Sequence, residues 1–198
     1  MNRRDTLKLL AAASIGSAIP GCTSRDVDRA TNRVALAGAD ALANRTPQVL
    51  TPHEYRTVEV LANHIIPADD RSGSATDAAV PAFIDFVLED VDGMATPFRG
   101  GLAWVDHHCK REFGKVFVEL DAQQQTEVLD AIAYPGDVSA GMEPGARFFT
   151  MLRDLTASGF FSSKVGVDDL GYTGNTPQPS WDGCPPEALA HLGVSYEA

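Results

Sequence analysis

Basic side chains are scarce in this sequence, with 16 Lys and Arg against 27 Asp and Glu in 198 residues. A surface so acidic repels phosphate backbones and anionic headgroups, which excludes nucleic-acid binding and a basic membrane patch. Cysteine is equally sparse, at three, and none sits in CxxC or CxxCH, so neither a zinc knuckle nor a haem-attachment site is encoded. No apolar run reaches the roughly 20 residues that a bilayer-spanning helix needs. GxSxG, the P-loop and a GxGxxG following a strand are missing too, and with them the commonest hydrolase and nucleotide-binding signatures. No segment sustains a two-residue alternation of apolar and polar residues, so no sheet is expected.

What is present begins at the N-terminus. Arg3-Arg4-Asp5-Thr6-Leu7-Lys8 places paired arginines before an uncharged run, Leu9 to Ile19. A basic start, a short apolar centre and a small-residue exit describe a signal peptide over residues 1–21, and Arg3-Arg4 gives it the twin-arginine form. The exit, Ile19-Pro20-Gly21-Cys22, is similar to a lipobox, which makes Cys22 the candidate lipid-attachment residue. Removing Arg3, Arg4, Asp5 and Lys8 with the signal leaves 13 basic and 26 acidic residues. The expected location is the periplasm, with the membrane reached only through a lipid on Cys22.

Residues 22–48 are polar and Ala-rich and read as a tether, with a short helix around Arg33–Asn44. A helical bundle over 49–159 follows. Thr51-Pro52-His53-Glu54 combines an N-cap, a proline in the first turn and a capping-box glutamate. Tyr55, Val58, Ala62, Ile65 and Ile66 then recur at helical spacing until Pro67. Pro81 opens a second helix with Phe83, Ile84, Val87 and Leu88 inward. Thr96-Pro97 opens a third, carrying Phe98, Leu102, Val105, Cys109 and Phe113. Asp121 and Gln124 cap a fourth, which buries Val128, Leu129 and Ile132. Pro144 opens a fifth, with Phe148, Met151, Leu152 and Leu155 inward and Gly159 as its stop. The fold class expected is all-α, a small bundle of about five helices.

Residues 160–198 differ in character. They are rich in Gly and Pro, include the aromatics Phe160, Phe161, Tyr172 and Trp181, and end in a helical turn, Pro186 to Leu192, before Gly193. Such a long Gly/Pro-rich stretch in a single domain is typically functional, so it is read as a C-terminal arm that binds a partner through those four aromatics.

Chemistry-bearing residues give no site. His107-His108-Cys109 has the residue types of a metal cluster, but neighbours on a helix point about 100° apart and cannot converge on one ion. His64, ahead of Asp69 and Asp70, has an acid–base reading and a structural one, in which its ring faces the last carbonyls of its helix. No catalytic, cofactor or metal residues are therefore assigned. Cys109 and Cys184 could pair with each other, or one with a partner chain.

The sequence resembles the gluconate 2-dehydrogenase subunit 3 family. The resemblance rests on Leu50-Thr51-Pro52, His64-Ile65-Ile66-Pro67-Ala68, Val80-Pro81-Ala82-Phe83-Ile84-Asp85, Phe148-Phe149 with Leu152 and Leu155-Thr156, Gly159-Phe160-Phe161-Ser162-Ser163, and Gly171-Tyr172 through Trp181-Asp182-Gly183-Cys184-Pro185. It implies a non-catalytic small subunit that supports maturation and twin-arginine export of a large flavoprotein of the glucose–methanol–choline (GMC) type. In such complexes the large subunit holds FAD and oxidises gluconate or other sugars, and electrons leave through a cytochrome c. The rival readings are a stand-alone lipoprotein that binds a ligand or protein, and an independent enzyme using His64, Asp69 and Asp70.

Overall fold

Thr51 caps the first helix of the computed structural model, which describes residues 45–172, 174, 179–180 and 183–196. Its hydroxyl accepts the Glu54 N–H at 3.3 Å while the Glu54 carboxylate accepts the Thr51 N–H at 2.8 Å, closing the capping box. Helix α1 (Pro52–Ile65) buries Thr57, Val58, Leu61 and Ala62. A turn-rich loop follows. Asp69 accepts the N–H groups of Arg71 and Ser72 there, and Asp77 accepts the N–H and hydroxyl of Ser74. These bonds favour the ionised form and hold both carboxyls below their usual range.

Helix α2 (Val80–Asp90) follows Ala79, whose φ of 56° makes it the one non-glycine in the left-handed region among the described residues. The four inward residues expected of α2 are all buried. Helix α3 (Ala95–Phe113) ends at Gly114 in the left-handed conformation that glycine adopts without steric cost. A 3₁₀ turn (Phe117–Glu119) leads to α4 (Ala122–Asp130), where Asp121 and Gln124 form the second capping box.

Helix α5 (Glu143–Ser162) is the hub, packing against α1, α2, α3 and α6 (Lys164–Asp169). Its crossing with α3 is reciprocal. A Cβ on Gly101 of α3 would lie 2.2 Å from the Phe148 ring of α5, and one on Gly145 of α5 would lie 2.2 Å from the Trp104 ring of α3. Each helix thus receives an aromatic of the other in a notch that only glycine leaves open. Phe98 completes the crossing, edge-on to Phe148 at 5.3 Å.

The five expected helices are present, and the fold is all-helical among the described residues. The structure differs at the end of α5. Gly159 does not stop the helix, because it sits buried against Phe83 with no room for a Cβ and keeps a negative φ. The helix runs on to Ser162, and Ser163 ends it, its hydroxyl donating to the Phe160 carbonyl at 2.6 Å and accepting the Gly166 N–H to start α6. Helix α6 is therefore additional to the expected set. Helix α7 (Pro186–Leu192) closes at Gly193 and contains no buried residue.

Candidate functional site

The residues suspected of chemistry are dispersed by the fold. His107 is exposed and His108 lies stacked on Trp104 at 5.2 Å. Cys109 is fully buried on the inward face of α3. Among the described residues, no group of three His, Cys, Asp or Glu side chains could hold a metal. Burial lowers the affinity of His108 for a proton and pushes the Cys109 thiol up to about 11, so Cys109 stays a neutral, unreactive thiol. Cys184 is partly exposed, with its backbone N–H donated to the Tyr196 hydroxyl at 2.7 Å. Both thiols are free. Cys109 lies in the core and Cys184 in the C-terminal segment.

His64 does not address the carbonyls of its own helix. Its Nε2 meets Gln125 Oε1 of α4 at 2.8 Å, and Gln125 Nε2 donates to the Phe117 carbonyl at 3.1 Å. That second bond fixes which end of the amide is oxygen, so His64 Nε2 is the donor and carries the proton. Asp69 is engaged with its own turn. His64 also borders two clefts. One, of about 410 Å³, is lined by Ile65, Leu129, Asp130, Tyr134, Phe149 and Arg153 among others, and the second, of about 270 Å³, lies along α1 beside Arg56, Glu59 and Asn63.

The residues expected to bind a partner separate into three groups. Phe160, expected as an exposed anchor of the arm, is 1% exposed and belongs to the core, because the longer α5 turns it inward. Phe161, the next residue, packs edge-on to Phe160 at 5.2 Å and is 42% exposed. Tyr172, beyond α6, is 61% exposed. Trp181 lies outside the described residues.

Sequence reasoning missed four further exposed apolar residues in the same part of the chain: Leu170, Leu192, Val194 and Tyr196. Tyr196 leans on Gly183, where a Cβ would lie 2.8 Å from its ring. The missed signal was that α7 never shows the apolar stripe of a buried helix. Tyr134, at the rim of the larger cleft, is the most exposed of these large side chains. No helix among the described residues is long and apolar enough to cross a membrane.

No curated protein and no solved structure matches the chain. The sequence model of the family described as "Gluconate 2-dehydrogenase subunit 3" matches residues 52–179, which spans α1 to α6 and the segment after it. With that match covering more than half of the chain, in the region that forms the bundle, the protein belongs to the gluconate 2-dehydrogenase subunit 3 family.

Proposed function

We propose that this chain is the non-catalytic escort subunit of a periplasmic, FAD-dependent sugar or gluconate dehydrogenase of the GMC type. In this reading the large flavoprotein has no export signal of its own. It folds, takes up FAD, binds this subunit and crosses the membrane with it by the twin-arginine route directed by Arg3 and Arg4. Lipid on Cys22 then holds the complex at the membrane, and a cytochrome c accepts the electrons.

The observation that carries the reading is the apolar surface of the C-terminal segment, on a chain whose family is named as a dehydrogenase subunit. Leu170, Tyr172, Leu192, Val194 and Tyr196 all stand exposed within it. Exposed apolar side chains gathered in one segment of the chain are candidates for an interaction site, and tyrosine is enriched among the anchors of such sites. Membership of a dehydrogenase-subunit family supplies the kind of partner.

The test is co-expression with the large flavoprotein, followed by a dye-linked dehydrogenase assay on periplasmic and cytoplasmic fractions. Arg3→Lys together with Arg4→Lys is expected to leave both chains and the activity in the cytoplasm. Undiminished periplasmic activity would remove the escort role. The alternative, a stand-alone lipoprotein, has the 410 Å³ cleft beside His64 in its favour, and it predicts a monomer that never co-purifies with a flavoprotein.

A further inference from the structure

Asp85 is a fully buried carboxylate on α2 whose hydrogen-bond partners all come from the segment ahead of α1. Its two oxygens accept the backbone N–H groups of three consecutive residues, Gln48 at 2.8 Å, Val49 at 3.0 Å and Leu50 at 2.9 Å. Arg45 extends the attachment along the same helix. It pairs with Glu89, its guanidinium lies 5.3 Å over the Phe86 ring, and its Nε is 3.9 Å from Asp85. Residues 45–48, which the sequence suggests are the end of a free tether, are thus laid across α2.

We propose that Asp85 is the latch of a fold-dependent strap, residues 45–50, which makes α2 rather than the start of α1 the point where the described chain is first tied into the bundle. Hydrogen bonds from three successive N–H groups to one side chain hold the strap firmly, and withdrawing the strap would leave the buried Asp85 carboxyl group without partners. The latch exists only once α2 is seated, since Ile84 and Val87 beside Asp85 are themselves completely buried in the core. An unseated α2 frees the strap, and a seated one closes it. The junction between tether and bundle is therefore shielded from proteases only in the folded chain, and any pull from the N-terminal side loads the core through α2. The latch stands independently of the escort reading; its use as the junction between a membrane anchor and the body rests on that reading.

Hydrogen exchange and limited trypsin digestion of the full chain test it. In Asp85→Asn the amides of Gln48, Val49 and Leu50 should exchange at least a hundredfold faster. The fragment beginning at Thr46 should also appear at least tenfold sooner, while the amides of α3 and α5 keep their protection. Unchanged exchange at those three amides would overturn the latch. So would a loss of protection in α3 and α5 in step with the strap, since the strap would then be no separate unit. Glu89→Gln should speed cleavage after Arg45 yet leave the three amides protected, and opening them as far as Asp85→Asn does would shift the latch away from Asp85. If Asp85→Asn fails to fold, Asp85→Glu, which keeps the carboxyl group but displaces it, should give about tenfold faster exchange, and no change there would equally refute the proposal. None of these readouts depends on export or on a flavoprotein, so failure of the latch and failure of the escort reading are separable.

Discussion

Helices α2, α3 and α5 and the segment after α6 follow opposite rules within one chain. In the first, most large apolar residues are inside and three glycines are fixed by contact: Gly101, Gly145 and Gly159 each face an aromatic ring. In the second, Gly171, Gly174 and Gly193 have open space around them and are needed for their positive φ angles alone. Leu170, Tyr172, Leu192, Val194 and Tyr196 there face outward. Close packing accounts for the buried side chains of the first region; the second carries the exposed apolar side chains on which the proposed docking rests.

The sharpest way to break that comparison is a pair of leucine truncations. Leu152 is fully buried in α5 and Leu192 is exposed on α7. Leu152→Ala is expected to lower unfolding free energy by about 3 kcal/mol, within the usual range for core leucines. Leu192→Ala should change it by less than about 0.5 kcal/mol. Urea denaturation measures both, and a comparable loss at Leu192 would mean that the C-terminal segment is part of the core.

The cysteines extend the contrast. Cys109 ionises near 11 in the core, so at pH 8 its thiolate fraction is roughly a hundredfold below that of an ordinary thiol. Iodoacetamide should modify the partly exposed Cys184 far faster than the buried Cys109 in the native protein, as read by peptide mass spectrometry. Equal rates would mean that α3 opens readily.

Glycine substitutions sharpen the account further. Gly101→Ala drives a methyl group into the Phe148 ring and is expected to cost about 2 kcal/mol. Gly171→Ala meets no atom and should cost only about 1 kcal/mol, from its φ of 61°. Thermal unfolding of the two variants separates packing from backbone strain.

The smallest expected effect is on pH dependence. Burial works to raise the Glu54 carboxyl, but the bonds it accepts from Arg99 and Thr51 outweigh it and leave it lowered; Asp77, through Ser74, is lowered too. The unfolded chain therefore takes up protons first as the pH falls. Stability is full near neutrality and declines as the pH drops through the ordinary carboxylate range toward the folded values. Glu54→Gln should flatten that decline by less than about 1 kcal/mol, since the group is partly solvated. An unaltered acid profile would show that the Glu54–Arg99 link between α1 and α3 carries no stability.

The bundle was legible because its signals are local. Thr51 with Glu54 and Asp121 with Gln124 declare helix starts from four residues, and the three-and-four spacing of Phe98, Leu102, Val105 and Cys109 declares an inward face. The end of α5 was not legible. Gly159 has the residue type of a C-terminal stop, and only the position of Phe83, far away in sequence, shows that it is a packing glycine. That single misreading carried Phe160 onto the surface. Asp85 was hidden for a similar reason: in sequence it is one charge on an apolar helix, and its three N–H partners lie 35 to 37 residues earlier. The candidate site divides likewise, since the exposure of Tyr172 follows from the Gly-rich character around it, whereas the link from His64 to Gln125 spans 61 residues.

The escort proposal requires the exposed C-terminal surface to hold the flavoprotein. Tyr172→Ala combined with Leu192→Ala, in a chain co-expressed with the large subunit, tests it most directly, because neither residue supports the core. Affinity capture of this subunit from the periplasm, with bound FAD read by fluorescence, is expected to recover less than a tenth of the wild-type flavin, while circular dichroism and unfolding midpoint stay unchanged. Full recovery of flavin by the doubly substituted, well-folded chain would contradict the claim and move the interface to another face of the bundle.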